Sequence, residues 1–251
     1  MAESDTKVAI VTGGARGIGR GCALALAAKG FDIALVDLLA PEMERTCGEI
    51  RALGRRAHSY QADVSDHGHA REVVGAVAKE RGRVDFLLNN AGRSMPKPLV
   101  EISEEEFDRT IAINLKSCFN YIQAAVPVML AQGGGRIASM SSLNAYTGGV
   151  TSAVSKFAYA AAKAGILGMT RALAKELAPS ITINAICPGV IKTELGNTLT
   201  QSREPELKKG IALGRLGTPQ DVAQLVVFLA TAEPNFITGQ DFKVDGFQWV
   251  T

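Results

Sequence analysis

The chain has 251 residues, 47% of them hydrophobic, enough to bury one large core, and α/β chains of this length commonly form a single domain. Its 27 basic and 25 acidic residues leave a formal charge of +2, and the basic residues are scattered, so the balance points away from a nucleic-acid or membrane-surface partner. No apolar run reaches the roughly 18 residues of a membrane span, and the start MAESDTKV lacks the basic and apolar regions of a secretory signal; a soluble, cytoplasmic protein is expected.

Lys7 to Val11 is a short β-branched run that leads directly into Thr12-Gly13-Gly14-Ala15-Arg16-Gly17-Ile18-Gly19. Ile18, Cys22, Ala25 and Leu26 then recur at helical spacing, so the order is strand, glycine loop, helix. Such a loop lets backbone amides approach a pyrophosphate at a helix N-terminus, or serves packing alone. Gly30 is placed to end that helix, and Asp32 to Asp37 reads as a second strand. Asp37, 18 residues past Gly19, stands close to where a carboxylate holds the adenosine ribose hydroxyls, which would favour NAD by repelling a 2′-phosphate. Arg16 pulls the other way, since a guanidinium pairs with that phosphate and would admit NADP. A strand-end turn or helix cap is the alternative use of Asp37.

A third strand ends near Ala62-Asp63-Val64, a helix carries Ala70, Val73, Val74 and Val77, and Val84 to Gly92 reads as a buried strand closing in polar turn residues. This βαβα order predicts a doubly wound parallel sheet of about seven strands with helices on both faces. The loops holding Gly13, Asp37, Asp63, Asn89 and Gly92 all follow strands and open on one edge. Ser103 with Glu106 forms a capping box for the next helix, three turns into which Asn114 must find a partner or break the helix. Gly135 to Met140 is a strand delivering Ser141 and Ser142, and a long helix from Phe157 carries Tyr159 and Lys163 one turn apart. Another strand leads into Cys187-Pro188-Gly189-Val190-Ile191-Lys192-Thr193, residues 194 to about 213 read as a mobile lid, and Thr218-Pro219 caps a last helix before a short strand at Phe242 to Val244. The cysteines Cys22, Cys47, Cys118 and Cys187 lack Cys-x-x-Cys spacing and read as reduced packing residues. His67 and His69 have no third ligand nearby, so no metal site is expected.

An unperturbed tyrosine is a weak base at neutral pH, and a lysine one turn away, together with a cationic nicotinamide, favours its phenolate. Tyr-x-x-x-Lys also occurs on solvated helices. Taken with the glycine loop, Asp63-Val64, Asn89-Asn90-Ala91-Gly92, Asn114, the serine before the long helix and Pro188-Gly189 with Thr193, it makes the chain resemble the short-chain dehydrogenase/reductase family over almost its whole length.

That resemblance implies a Rossmann-type fold, an NAD(P)-linked oxidoreductase of alcohols and ketones, and a homotetramer. By it, Tyr159 is the general acid/base, Lys163 supports it and holds the nicotinamide ribose, Ser142 (or Ser141) binds the carbonyl, and Asn114 holds a water. The same resemblance assigns the cofactor to Gly13, Arg16, Gly17, Ile18, Gly19, Asp37, Asp63, Val64, Asn90, Ala91, Gly92, Tyr159, Lys163, Pro188, Gly189, Val190, Ile191 and Thr193. Two departures stand out: Ser142 and Tyr159 are about four residues further apart than in many relatives, and Phe247 replaces a usual second glycine after Asp245-Gly246. Asp37 and the lack of a cation at Met129 to Gly133 favour an NAD-linked enzyme of a small secondary alcohol, with 3-oxoacyl-carrier reductase as the alternative; Lys175 could supply part of a carrier-docking patch. Arg93 and Lys97 serve either an anionic substrate or solvation. A non-catalytic NAD-binding scaffold is opposed by the presence of both Tyr159 and Lys163.

Overall fold

The computed structural model describes residues 6–149, 154–194 and 204–248. In chain order the strands are β1 (Val8–Thr12), β2 (Asp32–Asp37), β3 (Ala57–Gln61), β4 (Phe86–Asn89), β5 (Gly135–Met140), β6 (Ile181–Pro188) and β7 (Asp241–Val244). They form one sheet in the order β3-β2-β1-β4-β5-β6-β7, and every pairing is parallel. Chain order reverses between β1 and β4, which places a crevice beyond their carboxyl ends.

Alternation along the strands divides the core into two. Val8 and Ile10 of β1 join one apolar cluster and Ala9 and Val11 the other, as a period of two requires. The first cluster is closed by α3 (His67–Arg81), α5 (Ser117–Ala131) and α7 (Phe157–Leu177), through residues such as Val74, Tyr121 and Ile166. The second is closed by α1 (Gly17–Ala28), α2 (Ala40–Ala52) and α9 (Pro219–Thr231), through Leu26, Ile50 and Val226. Both faces of the sheet are therefore covered, and its central strands are buried runs without polar alternation, while the edge strands β3 and β7 are partly exposed. Each fully buried leucine or isoleucine contributes about 1.5–3 kcal/mol of transfer free energy, so Leu26, Leu35, Leu88 and Ile50 anchor the second layer.

The helix ends follow their sequence signals. Ser103 and Glu106 make both bonds of a capping box at α4 (Glu104–Ile111), Thr218 and Asp221 do the same at α9, and Asp66 caps α3 through the His69 amide. Gly30 follows α1 with φ +92°, as its place predicted. All four cysteines are buried and unpaired. No helix among the described residues is long and apolar enough to cross a membrane, and no group of metal-ligating side chains occurs there.

The expected lid is only partly polar and open. Residues 204–209 form the short helix α8 (Glu204–Lys209), and Ile211 is buried, so this half packs on the body because the chain supplies an apolar anchor there. Residues 195–203 of that segment lie outside the described residues.

Candidate active site

The glycine loop binds β1 to β4 before it meets any ligand. Thr12 Oγ1 accepts the amides of Asn90 and Ala91 at 3.0 and 3.1 Å, and Asn90 Nδ2 donates to the carbonyls of Thr12 and Gly13, both at 3.0 Å. The first turn of α1 comes so close that a methyl group at Gly19 would lie 2.0 Å from the Gly13 oxygen and 2.5 Å from Asn90 Nδ2. Glycine is required there by contact with backbone, which accounts for the sequence pattern without reference to a ligand. The same packing leaves the amino end of α1 uncapped by any side chain, at the carboxyl edge of β1. Such an end favours an anion.

Asp37 sits at the end of β2, and its carboxylate accepts the amides of Ala15 at 3.2 Å, Leu38 at 2.8 Å and Leu39 at 3.3 Å. It thus performs the strand-end turn and fixes a negative charge against the glycine loop. Arg16 is exposed and faces a cavity of about 270 Å³ shared with Arg20, Arg45, Thr46, Glu42 and Glu194. Arg20 is paired there with Glu49 and Glu194. Asp63 is held by the Ser65 hydroxyl and amide, and these bonds keep its carboxyl below the usual range. Val64 gives its carbonyl to Asn120 Nδ2.

A second cavity of about 270 Å³ joins Tyr159, Lys163, Ser141 and Ser142 with Ile18, Asn90, Gly92, Pro188, Gly189 and Ile191. The two serines differ. Ser141 is buried and its Oγ donates to the Lys163 carbonyl at 2.8 Å, whereas Ser142 is part-exposed and its Oγ only accepts the Asn144 amide at 3.2 Å. The hydroxyl proton of Ser142 is therefore available to the cavity. Lys163 is 3% exposed, donates from Nζ to the Met140 carbonyl at 2.7 Å, and has its ammonium 5.6 Å from the centre of the Tyr159 ring. Three ammonium protons and one protein acceptor leave two donors for a ligand.

Asn114 finds partners, and the helix widens around it without stopping. Ala112–Lys116 winds as a π-turn between α4 and α5, and the fully buried amide donates from Nδ2 to the carbonyls of Arg93 and Thr110 while Oδ1 accepts the Arg93 amide. Wider turns of this kind accommodate one extra residue in a helix. Asn114 and Lys163 approach Gly92 from two sides, at 2.9 and 3.4 Å from where a β-carbon would be. Val190 and Ile191 are tied to Gly217, and Thr193 lies just beyond, outside the cavity's lining.

Residues 13–246 match the family described as enoyl-(acyl carrier protein) reductase. The chain is 37% identical over 241 residues to the 3-oxoacyl-[acyl-carrier-protein] reductase of Thermotoga maritima, covering 96% of each. The chain is a short-chain dehydrogenase/reductase. This short-chain dehydrogenase/reductase is also 36% identical to the oxidoreductase UcpA of Salmonella typhimurium, over 98% of its own length and 95% of that protein's. A solved structure of a short-chain dehydrogenase/reductase described as glucose/ribitol dehydrogenase, from Brucella melitensis, superposes with a TM-score of 0.89 at 31% identity, covering 99% of both chains. The enzyme is thus an NAD(P)-dependent dehydrogenase/reductase of hydroxyl and keto groups.

The residues present fit a dinucleotide. The uncapped α1 end beside the glycine loop and the buried Lys163 with two spare donors suit a pyrophosphate and a ribose. Sequence reasoning missed several parts of this dehydrogenase/reductase. Thr12 is one, legible only as a hydroxyl at the end of a buried strand. Gln248 is another: it is buried and accepts the Val190 amide at 2.9 Å, bracing the loop after Pro188. Between Ser142 and Tyr159 the chain forms α6 (Asn144–Thr147), whose Tyr146 hydroxyl donates to Asp241 on β7. Ser94 and Ser155 complete the cavity.

Proposed function

We propose that this enzyme interconverts a small secondary alcohol, of polyol, sugar or hydroxy-acid type, and its ketone, with NAD(H) as the carrier. The reading is carried by the cavity in which a phenol, a free serine hydroxyl and a buried ammonium share one wall. Bound NAD(H) supplies or accepts the hydride. Tyr159 gives its proton to the substrate oxygen in reduction and takes it back in oxidation. Ser142 donates to the same oxygen, and Lys163 holds the nicotinamide ribose and stabilises negative charge developing on the phenol. Asn114 fixes the turn after β4 and has one acceptor position left on Oδ1 for the water that links Lys163 to solvent.

The preference for NAD rests on Asp37, whose charge is pinned beside Ala15 where a 2′-phosphate would be repelled. Arg16 and Arg45 oppose it, and the names of the 3-oxoacyl-[acyl-carrier-protein] reductase relatives favour the second reading, an acyl-thioester reductase using NADPH. The proposal also takes the chain as one domain, cytoplasmic, and a homotetramer built on α5 and α7, whose Phe119, Leu130 and Phe157 are exposed. Initial rates with NADH and NADPH on acetoacetyl thioesters and on a panel of polyols and hydroxy acids decide. NADH-linked turnover of the panel is expected; strong NADPH preference with thioester turnover reverses the order. Asp37→Ser should raise the NADPH/NADH ratio of kcat/KM by about 5- to 30-fold, since removing one close like charge is worth roughly 1–2 kcal/mol.

A further inference from the structure

The cavity holds a cation that the alcohol chemistry does not need. We propose that Arg93 forms an anion subsite and that the substrate carries a carboxylate a few bonds from the reacting carbon, as in a short hydroxy acid and its keto acid; this rests on the oxidoreductase reading above.

Arg93 follows Gly92 and lines the same cavity as Tyr159 and Ser142. Both of its main-chain polar groups are held by a single buried side chain, the Arg93 amide donating to Asn114 Oδ1 at 3.0 Å and its carbonyl accepting from Asn114 Nδ2 at 2.9 Å. The guanidinium therefore springs from a fixed point, although the segment has no regular structure. Among the described residues that side chain has no ion-pair or hydrogen-bond partner, while the neighbouring Lys97 is paired with Glu106 at 2.5 Å. Solvation and recognition, left open for both cations by the sequence, thus separate: Lys97 is committed and Arg93 is not.

The charge inventory of the cavity points the same way. Its lining includes Arg93 and Lys163 but no aspartate or glutamate. Ser94 and the buried Ser155 add neutral hydroxyls to the wall. Arg93 is exposed, and its planar guanidinium suits bidentate binding of a carboxylate. A thioester on a carrier protein places no carboxylate there, so the subsite also separates the two functional readings.

The test is calorimetric titration of the NADH-loaded enzyme with three- to five-carbon keto acids and with their methyl esters. The acids should bind roughly 10- to 150-fold more tightly than the esters, the span expected of a charge-assisted pair. Arg93→Leu should abolish that preference with dinucleotide affinity unchanged, and Arg93→Lys should keep part of it. Equal binding of acid and ester, binding of neither, a preference that survives in Arg93→Leu, or a loss in that variant confined to the dinucleotide each overturns the subsite. Tyr159→Phe should bind the acids as the wild type does while losing turnover. If that variant turns over normally, the proton-donor assignment fails while the binding result stands, so the two failures are distinct.

Discussion

Replacing the two adjacent serines one at a time separates structure from chemistry at a single turn of chain. Ser141→Ala removes a buried hydrogen bond to the Lys163 carbonyl, worth about 1 kcal/mol, from a carbonyl with a second lone pair available to its own helix. In a chain of this size that loss lowers Tm by about 2–4 °C. Ser142→Ala removes only an acceptor for one part-buried amide, so its stability should change by less than about 0.5 kcal/mol. Loss of a hydroxyl aimed at the reacting oxygen, however, typically costs about 10²–10³ in kcat. Thermal melts and steady-state rates on both variants provide the comparison: Ser141→Ala should be less stable and nearly as active, Ser142→Ala as stable and nearly inactive. If Ser141→Ala is the inactive one with an unchanged melt, the contrast between their hydrogen bonds has been misread and the carbonyl-binding hydroxyl is the buried one.

Gly19→Ala should destabilise the fold by roughly 1–3 kcal/mol, or more, and weaken dinucleotide binding in calorimetry, because its methyl group meets the Gly13 carbonyl. Phe247 adopts φ +60° and is 74% exposed, so Phe247→Gly relieves left-handed strain of about 1–2 kcal/mol against an entropy cost of about 0.5–1 kcal/mol, and a modest rise in Tm is expected. A fall would mean that the exposed ring is covered in the assembled enzyme. Asp32 is buried between Arg55 and Arg56; burial raises its pKa, but the Arg56 hydrogen bonds and the Arg55 charge outweigh it, and the folded value is lowered. Its stabilisation is therefore present above the unfolded value of about 3.9 and is lost as pH falls through the lower folded value. Asp32→Asn should cost about 2 kcal/mol at pH 7 and distinctly less at pH 3 in urea melts.

The parts of the fold that sequence revealed were those with local causes. β-Branched runs gave the strands, Ser103 with Glu106 and Thr218 with Pro219 gave helix starts, and the βαβ alternation gave the parallel sheet. Tyr159 and Lys163 were legible because one helical turn sets their distance. What could not be read depended on partners far along the chain. Ser141 and Ser142 look alike until β5 and α7 are packed and only one of them reaches the Lys163 carbonyl. Asp37 was placed correctly at the strand end, but its bond to Ala15 spans 22 residues. The segment from residue 194 read as a mobile lid because a single buried Ile211 carries little periodic signal.

Lys163 and its neighbours latch strand to helix in both directions: its ammonium bonds the Met140 carbonyl, and its own carbonyl receives the Ser141 hydroxyl. Seen this way, the residue is a rivet as much as a reagent. A homologue that had given up catalysis would still suffer mechanically from dropping it, so retention of this lysine is weak testimony to activity. Tyr159, with no such structural duty evident in its bonding, is the better witness.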